Sequence, residues 1–425
     1  TAMPHICIKG KNPLFGEIDI QGAKNSALPI LSASLLCGGE SVIHNCPGIS
    51  DIKAARDILE FLGCSVKRHE GTLVVDSSGF NCREVPEKLM REMRSSIIFL
   101  GALAAKCGSA FLSLPGGCEL GPRPIDIHIR ALEKMGMTIF QKNGRLDCFC
   151  EKGLEGCDIL LPFPSVGATE NIMLAAVKAR GKTTIINAAK EPEISDLARF
   201  LNGCGANIHI DPITGKITVY GVKKLFGCEH TVIPDRIAAA TYLSAVGACG
   251  GRVKINSVCP GHLVSVLCCF RRAGCGIRAD KNTVEIEVKE RPQGFGRIRT
   301  GVYPAFPTDA QPALMAMATV CGGQTVFEEN IFENRFTQSK ALKKMGADIE
   351  VDKKVARVRG VPELIGADVD AADLRGGAAL VIAGLCAAGK TRVGNVHFIK
   401  RGYENLVENL RSIGADITFE GTEKV

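Results

Sequence analysis

Six copies of one unit run through the chain, and two series of regularly spaced glycines mark them. In the first series a helix-like segment ends on a small or apolar residue, then Gly, then another such residue. The central glycines of this series are 73, 69, 69, 72 and 68 residues apart, and a second series interleaves with it at spacings of 69, 73, 70, 72 and 66. Because glycine accepts the left-handed conformation just past a helix's last turn, each unit is predicted to hold two helices and several short strands. The glycines are Gly63, Gly136, Gly205, Gly274, Gly346 and Gly414 in the first series, and Gly39, Gly108, Gly181, Gly251, Gly323 and Gly389 in the second.

The two predicted helices of each unit differ in polarity. The first is almost wholly apolar, which is typical of a helix covered on every side, whereas the second mixes charges with a periodic apolar face and belongs on the outside. We therefore expect an α/β fold, a two-domain inside-out α/β barrel built from six repeated units with buried parallel helices, three units per domain. The first helices are predicted at residues 26–37, 95–106, 169–179, 237–248, 310–321 and 378–388, and the second at 52–62, 125–135, 194–202, 263–273, 338–345 and 403–413.

Composition and charge exclude several classes of protein. With 46% hydrophobic residues among 425, the chain can bury a large core. No apolar run reaches the roughly 18 residues of a membrane span, and the N-terminal residues lack the basic-then-apolar pattern of a secretory signal. A cytoplasmic location without membrane association is therefore expected. The net charge of +7, without a long Lys/Arg run or any Trp, favours a small anionic substrate over nucleic acid.

The 19 cysteines suggest neither a disulfide framework nor a metal site. Their number is odd, and no C-x-x-C motif occurs. Cys64, Cys204 and Cys275 lie at or beside helix-end glycines, where other repeats carry alanine, so they are interpreted as small apolar residues. We expect most of the cysteines to be reduced, and we expect no metal and no cofactor.

The first helices begin at equivalent positions, and cations are frequent there. If three units pack around a pseudo-threefold axis, the N-termini of their buried helices converge, and each N-terminus favours an anion. Capping alone would favour acids and hydroxyl groups at these positions. The cations therefore indicate an anion-binding cleft between two such domains. The residues at these starts are the cations Lys24, Arg94, Arg236 and Arg375, with the acids Asp235, Asp309 and Asp373 among them.

One motif match is rejected on structural grounds. Residues 384–391 fit the phosphate-loop pattern G-x-x-x-x-G-K-T. That motif requires a strand before it and a helix after it. Here the order is predicted to be the reverse, and Gly389 is one of the repeated helix-end glycines. We therefore do not expect ATP to bind there.

A turn-rich loop over residues 114–126 interrupts the repeat and carries Cys118. Unlike the helix-borne cysteines, Cys118 has no packing reason to lie there. Arg123 and His128 are close in sequence and could favour its thiolate or exchange a proton with it. From the residues alone, a reactive cysteine and an incidental loop thiol remain open.

Eight motifs along the chain match motifs of known enzymes. Over essentially its full length the chain resembles the UDP-N-acetylglucosamine 1-carboxyvinyltransferases, the enolpyruvyl transferases that open peptidoglycan synthesis. One position departs from part of that family, because Phe163 stands where some members have Lys, which alters local nucleotide contacts. The motifs lie at residues 21–25, 93–96, 115–126, 164–171, 306–309, 331–335, 373–375 and 401–404.

The resemblance implies a reaction in which a sugar hydroxyl attacks the central carbon of phosphoenolpyruvate while its methylene is protonated. Phosphate and a proton then leave the tetrahedral intermediate. The residues implied as catalytic are Cys118 as the proton donor and fosfomycin target, Asp309 as the base for the hydroxyl, and Lys24 and Arg401. Those implied to bind phosphoenolpyruvate are Lys24, Asn25, Cys118, Arg123, Arg375 and Arg401. Those implied to bind UDP-N-acetylglucosamine are Asn25, Arg94, Arg123, Pro124, Ile125, Asp126, Ile127, Phe163, Pro164, Ser165, Val166, Gly167, Asp309 and Ile331.

The resemblance also implies a discontinuous boundary, with an inserted domain over residues 23–231 and a second domain formed by 1–22 and 232–425. The loop around Cys118 would be a lid. Three alternatives stay open: a 5-enolpyruvylshikimate-3-phosphate synthase, a non-catalytic sensor of nucleotide sugar, and an RNA 3′-phosphate cyclase. The Cys118 loop argues against the first, the intact site residues against the second, and the missing basic runs against the third.

Overall fold

The computed structural model describes residues 3–93, 95–113 and 125–421. These residues divide into two compact units. Unit I runs from Gly22 to Ile233, and unit II combines the chain up to Gln21 with the chain from Pro234 onward. Each unit encloses a hydrophobic core of its own.

The chain up to Ile233 supplies two strands to unit II and then all the elements of unit I. A short 3-10 turn at Ser96–Ile98 precedes α4. The elements are β1 His5–Lys9, β2 Leu14–Asp19, α1 Lys24–Ser34, β3 Glu40–His44, α2 Ser50–Phe61, β4 Ser65–His69, β5 Thr72–Asp76, β6 Glu84–Val85, α3 Glu87–Glu92, α4 Phe99–Cys107, β7 Ser109–Ser113, α5 Asp126–Lys134, β8 Thr138–Lys142, β9 Arg145–Phe149, β10 Asp158–Leu160, α6 Val166–Ala176, β11 Lys182–Ile186, α7 Pro192–Gly203, β12 Asn207–Ile210, β13 Ile217–Tyr220 and β14 Glu229–Thr231.

The remaining elements all belong to unit II. They include 3-10 turns at Pro260–His262, Thr308–Ala310 and Ile399–Arg401. The elements are α8 Arg236–Cys249, β15 Gly251–Asn256, α9 Val264–Arg272, β16 Gly276–Ala279, β17 Val284–Val288, β18 Gly296–Arg299, α10 Gln311–Ala318, β19 Gln324–Glu328, α11 Ser339–Lys344, β20 Asp348–Asp352, β21 Val355–Arg359, β22 Asp368–Asp370, α12 Leu374–Cys386, β23 Lys390–Gly394, α13 Leu406–Ser412 and β24 Asp416–Glu420.

The described strands form six four-stranded sheets, three in each unit, and all six share one pattern. The first strand pairs in parallel with the second, and the third and fourth follow antiparallel. This common topology confirms that the six sequence repeats are six copies of one structural unit. The strand orders are β14-β3-β5-β4, β6-β7-β9-β8 and β10-β11-β13-β12 in unit I, and β2-β15-β17-β16, β18-β19-β21-β20 and β22-β23-β1-β24 in unit II.

Three strands complete a sheet from a distant part of the chain. In unit I, β14 pairs with β3 and so closes the first repeat with residues that follow the third. In unit II, β2 pairs with β15, and β1 lies between β23 and β24. Each unit is thereby closed by segments that are remote in sequence.

The repeated glycines have the backbone conformation that the spacing predicts. All twelve have positive φ angles, between 68° at Gly108 and 114° at Gly251. This conformation is strained for residues with a side chain. The glycine series therefore marks helix ends in the folded chain, as predicted.

The first helix of each repeat is buried and the second is amphipathic, as predicted. In α8, every residue from Arg236 to Gly247 is buried. In unit II, α8, α10 and α12 pack against one another, and in unit I, α4 packs against α1 and α6. Outer helices such as α2 and α7 bury one face. The two-domain inside-out α/β fold with buried parallel helices, three repeats per domain, is confirmed.

Some helix boundaries differ from the prediction. The last outer helix, α13, begins at Leu406 rather than at Tyr403. Two contacts from Gln21 explain this: its side chain donates to Gly402 O at 3.0 Å and accepts from Glu404 N at 2.7 Å. Asn405 then takes a left-handed conformation with φ of 52°. The preceding segment is therefore tied to the N-terminal part of the chain rather than continued as helix.

The element order around residues 384–391 is the one that the sequence predicted. The phosphate-loop-like segment lies at the end of α12 and leads into β23, which is the reverse of the order that nucleotide binding requires. The 18 cysteines in the described ranges are all free thiols. No helix in the described part of the chain is long and apolar enough to cross a membrane.

Candidate active site

In unit I, Lys24 is the first residue of α1 and is only 8% exposed. Its Nζ lies 2.6 Å from Oδ2 of Asp51, which is in the first turn of α2 and 1% exposed. The Asp51 carboxylate thus holds the Lys24 ammonium group in position at the start of α1. Asn25 follows on α1 and is half-buried. Sequence reasoning missed Asp51, although an acid at a helix start is a recognisable signal.

Gly22, just before α1, lies very close to the backbone of another segment, which explains why glycine is needed there. A Cβ added at Gly22 would lie 1.7 Å from the carbonyl oxygen of Asn45. The Asn45 side chain donates to Val232 O at 2.9 Å. The chain entering α1 is thus pressed against the turn after β3, and only glycine fits there.

A second network ties α1 to α7 and to the end of unit I. Asp196 of α7 accepts a hydrogen bond from the hydroxyl of Ser26, and its Oδ1 lies 3.1 Å from Nε2 of His230 and 2.8 Å from Nη2 of Arg199. Its Oδ2 also accepts from Ile233 N at 3.2 Å. Burial alone would raise the pKa of Asp196, but the hydrogen bonds from His230, Ser26 and Arg199 outweigh burial and lower the pKa. Asp196 therefore stays ionised, and it holds Ser26, which lies two residues after Lys24 on α1.

The segments assigned to the nucleotide sugar meet at the starts of α5 and α6. Ser165 caps α6 by accepting from Ala168 N at 3.3 Å, and its own N–H donates to Phe163 O at 2.7 Å. A Cβ added at Gly167 would lie 3.2 Å from His128 Cε1, which shows that α6 packs closely against α5. Both expected segments are at least partly accessible. They comprise half-buried Ile125, Asp126 and Ile127, exposed Phe163, and half-buried Pro164, Ser165, Val166 and Gly167.

His128 is a buried neutral imidazole rather than a cation. Asn171 accepts from Gly101 N through Oδ1 at 2.7 Å, so its Nδ2 faces Nδ1 of His128 at 2.9 Å. Burial is the main cause that lowers the pKa of His128 to about 4. Burial therefore opposes a positive charge on His128.

A buried carboxyl group also lies on α6. Glu170 is 7% exposed, and burial, reinforced by the charges of Glu193 and Glu191, raises its pKa well above the ordinary value. A carboxyl group in this environment favours its neutral form. Sequence reasoning gave no role to this residue.

In unit II, Asp309 lies in a 3-10 turn before α10 and is held by two arginines. Arg335 donates from Nη2 to Asp309 Oδ1 at 2.9 Å, and Arg375 approaches Oδ2 at 3.4 Å. Neither arginine is more than 4% exposed. The Asp309 side chain does not cap a helix end. Asp309 therefore takes part in ion pairs with two arginines rather than in a helix cap.

Glu329 fixes the turn that carries Asp309 and the loop that carries Ile331. This buried carboxylate accepts from the Thr308 hydroxyl at 3.0 Å and from the backbone N–H groups of Ile331 and Phe332 at 2.8 and 3.1 Å. Ile331 is half-buried. Neither Glu329 nor Arg335 was given a role from sequence, because only the tertiary fold brings them to residues 308 and 309.

Arg375 follows a capped helix start and retains hydrogen-bonding capacity. Asp373 caps α12 by accepting from Arg375 N and Gly376 N, and the Thr337 hydroxyl donates to its other oxygen at 2.6 Å. The Arg375 guanidinium lies over the Tyr403 ring at 5.4 Å. Its Nε and Nη1 are buried without a hydrogen-bond partner among the residues that the structure describes. Burial opposes its charge, but Tyr403 and Asp309 outweigh burial and raise the pKa, so the guanidinium is charged.

Arg401 ends a 3-10 turn beside the segment that Gln21 holds, and it is half-buried. The structure thus brings Asp309, Arg375 and Tyr403 together in unit II, and Lys24 and Asp51 together in unit I. Four expected site residues, Arg94, Cys118, Arg123 and Pro124, lie outside the described residues.

Comparison with known proteins decides the family. The sequence profile of the family described as EPSP synthase (3-phosphoshikimate 1-carboxyvinyltransferase) matches residues 8–410. The protein named UDP-N-acetylglucosamine 1-carboxyvinyltransferase 2 from Caldanaerobacter subterraneus subsp. tengcongensis is 47% identical over 412 residues, covering 96% of this chain and 98% of that protein. The chain belongs to the UDP-N-acetylglucosamine 1-carboxyvinyltransferase family. A further member, from Thermotoga petrophila, is 42% identical and covers 98% of this chain and 99% of its own.

Solved structures of enolpyruvyl transferases have the same fold as this chain. The enolpyruvyl transferase NikO from Streptomyces tendae superposes with a TM-score of 0.88 at 26% identity, covering 99% of each chain. An EPSP synthase from Acinetobacter baumannii gives a TM-score of 0.75 at 17% identity, covering 98% of this chain and 100% of that chain. At this identity the second match shows the fold alone.

Proposed function

We propose that the protein transfers the enolpyruvyl group of phosphoenolpyruvate to the 3-hydroxyl of UDP-N-acetylglucosamine by addition and elimination, with release of phosphate. This is the first committed step of peptidoglycan biosynthesis. The observation that carries the assignment is the near full-length identity of 47% to a protein of that name. The charged residues of the site agree with it, since both substrates are anions.

The base for the sugar hydroxyl is assigned to Asp309. A general base must present its carboxylate in a fixed orientation within reach of the proton. Arg335 fixes this orientation by donating a hydrogen bond to Oδ1 of Asp309. The same guanidinium donates from Nε to the carbonyl oxygen of Thr308 at 3.2 Å, so the turn is held as well. Asp309 remains 29% exposed at its side chain, so a hydroxyl can approach it.

Phosphoenolpyruvate is assigned to the cations. Lys24, Arg375 and Arg401, with Arg123 outside the described residues, match its phosphate and carboxylate. The charge of Arg375 supports this role, because its buried guanidinium lies beside Asp309 and can pair with a carboxylate or phosphate group. Asn25 offers an amide for hydrogen bonds to either substrate.

The proton for the phosphoenolpyruvate methylene is assigned to Cys118, also outside the described residues. The addition forms a bond from the sugar oxygen to the central carbon, and the methylene becomes a methyl group. Elimination then returns a proton from that methyl group and breaks the carbon–oxygen bond to phosphate. Neither step requires a metal or a redox cofactor.

The nucleotide sugar is assigned to the segments at the starts of α5 and α6, where backbone groups and half-buried side chains are available. These are Ile125, Asp126, Ile127, Phe163, Pro164, Ser165, Val166 and Gly167, with Arg94, Arg123 and Pro124 outside the described residues, and Asn25, Asp309 and Ile331. We further propose that residues 23–231 act as an inserted domain, with residues 1–22 and 232–425 as the second domain. A cytoplasmic location follows from the substrates, which are charged phosphate esters that do not cross a membrane unaided.

Acceptor choice tests this function. Phosphate release from phosphoenolpyruvate is measured with UDP-N-acetylglucosamine and, separately, with shikimate-3-phosphate. We expect release only with the nucleotide sugar. Release with shikimate-3-phosphate instead would move the assignment to the EPSP synthases.

A further inference from the structure

Three thiols of unit I are in contact with one another, away from the residues assigned to the substrates. Cys37 Sγ lies 3.3 Å from Cys204 Sγ, which in turn lies 3.2 Å from Cys228 Sγ. Cys204 therefore contacts a sulfur atom on either side. Cys37 follows the C-terminal end of α1, whose other end carries Lys24, and Cys204 follows the end of α7.

The three thiols differ in accessibility. Cys37 and Cys204 are buried at 0% and 1% exposure, whereas Cys228 is half-buried. A small solute can therefore reach Cys228 more readily than the other two. The cluster therefore runs from half-buried Cys228 to fully buried Cys37.

The surroundings of Cys228 favour its thiolate. The Cys204 thiol donates to Cys228 and, together with the charge of His230, lowers the pKa of Cys228 to about 7 against the opposing effect of burial. Asp196 holds His230 at 3.1 Å. The pKa of Cys204 is raised instead. The hydrogen bonds with Cys228 and Cys37 contribute most to this, and burial adds to it. Cys228 is thus the nucleophile of the group and Cys204 a protonated neighbour.

We propose that Cys228 and Cys204 form a reversible oxidation site that a hydroperoxide converts to a disulfide, with Cys37 as a second thiol able to exchange with it. The sulfur atoms must close from 3.2 Å to the roughly 2.05 Å of a disulfide. Rotation about the side-chain bonds can provide a change of this size.

The chemistry balances in two steps. The Cys228 thiolate attacks the terminal oxygen of the hydroperoxide, breaks the O–O bond and becomes a sulfenic acid, while the other oxygen leaves as the alcohol or water after taking a proton from solvent. The Cys204 sulfur then attacks the sulfenic sulfur, and the hydroxyl group leaves with the Cys204 proton as water. The two thiols lose two electrons to one peroxide. Attack by the Cys37 thiol on Cys204 would release Cys228 again without further oxidation.

Peptide mapping tests the site in the full-length protein. Reduced protein is treated with one equivalent of hydrogen peroxide at pH 7, unfolded and alkylated in denaturant, digested without reductant and analysed by mass spectrometry. We expect a linked pair of peptides containing Cys204 and Cys228, and its loss on treatment with dithiothreitol. A linked pair of Cys37 and Cys204 that appears later is expected from exchange. Recovery of Cys204 and Cys228 both fully alkylated, while other thiols are oxidised, would overturn the proposal.

Two variants separate the roles of the thiols. Cys204→Ala removes the resolving sulfur, and alanine already occupies the equivalent place before the helix-end glycine at Ala273. In this variant Cys228 loses the hydrogen bond from Cys204, so its sulfenic acid should form more slowly, but without the resolving sulfur it should persist and be trapped as a dimedone adduct that the wild type does not accumulate. In Cys228→Ser, Cys37 and Cys204 should remain alkylatable. Their oxidation in that variant would show that Cys228 is not the point of entry and would overturn the proposal.

Cys268→Ser provides the matched control, because Cys268 is an exposed thiol of unit II. The linked pair of Cys204 and Cys228 should form in this variant at the wild-type rate. A loss of the linked pair would assign the reactivity to Cys268 rather than to the cluster.

Discussion

Arg335 holds Asp309 in place, with Nη2 of the guanidinium 2.9 Å from Oδ1 of the carboxylate. The same guanidinium donates from Nε to the carbonyl oxygen of Thr308 at 3.2 Å, so one buried side chain fixes both the carboxylate and the turn that bears it. The ring of Phe332 lies 5.6 Å from the guanidinium. Arg335 is therefore a positioning residue for the proposed base.

Replacing this arginine should affect turnover more than substrate binding. In Arg335→Met the carboxylate of Asp309 loses its orientation, and a misplaced catalytic group reduces the rate by about 100-fold. We expect kcat to fall by that order with a smaller change in KM, measured by steady-state phosphate release. Arg297→Met is the control, since Arg297 is 59% exposed and pairs with Glu328 at 2.8 Å on the surface. Equal losses in both variants, or an unchanged kcat in Arg335→Met, would contradict the role.

The buried pair of Lys24 and Asp51 can be tested for stability and function separately. Asp51→Leu leaves the Lys24 ammonium buried without this carboxylate, and breaking such a pair lowers the free energy of unfolding by about 3–5 kcal/mol. The double variant Lys24→Met/Asp51→Leu should regain most of that stability but remain inactive, because the cation for phosphoenolpyruvate is gone. Urea unfolding and phosphate release measure the two effects.

Asp57→Leu on the same helix is the control for that pair. Its carboxylate contacts Arg56 at 3.1 Å with both side chains partly exposed, and such pairs contribute about 1 kcal/mol or less. If Asp51→Leu destabilises the protein no more than Asp57→Leu, the buried Lys24–Asp51 pair does not stabilise the fold.

His128 should make the stability depend on pH. Its pKa is lowered from 6.5 to about 4 in the folded state, so between these values the unfolded chain binds a proton that the folded protein does not. The free energy of unfolding should therefore fall as the pH drops from about 6.5 to about 4, by about 3 kcal/mol from this residue. His128→Gln can still accept from Asn171 and does not titrate. The difference between wild type and variant should be constant above pH 7 and decrease below it; a pH-independent difference would refute a buried neutral imidazole.

Cys118 should be distinguishable from the other thiols by its chemistry. Cys118→Asp keeps a group that exchanges protons but removes the sulfur nucleophile, so it should retain activity and resist fosfomycin. Cys118→Ala removes both and should be nearly inactive. Normal turnover of the alanine variant would assign proton donation to another residue. Modification of a different cysteine by limiting fosfomycin in the presence of UDP-N-acetylglucosamine would separate inhibition from the proposed acid.

The sequence predicted the features that depend on local pattern. The glycine series and the apolar inner helices repeat at fixed intervals, and the left-handed glycines and buried helices of the structure match them. The insertion of β1 between β23 and β24 depends on pairing across almost the whole chain, for which no local signal exists.

The residues that support the candidate site could not be predicted from the local sequence either. Asp51, Glu329 and Arg335 each contact a site residue 27, 21 and 26 residues away, respectively, and only the fold reveals these contacts. The neutral state of His128 follows from its burial, which sequence proximity to Cys118 did not indicate. In contrast, Lys24 and Arg375 were predicted to bind anions because they stand at repeat-equivalent helix starts, and the resemblance implied Asp309 as the base.

The fate of the central carbon of phosphoenolpyruvate tests the account most directly. The protein is incubated with UDP-N-acetylglucosamine and phosphoenolpyruvate labelled with ¹³C at that carbon, and the products are followed by NMR. We predict that the label appears in a vinyl ether on the 3-oxygen of the sugar, with one phosphate released for each sugar modified. Label that remains in phosphoenolpyruvate, or that appears in free pyruvate together with phosphate, would contradict enolpyruvyl transfer.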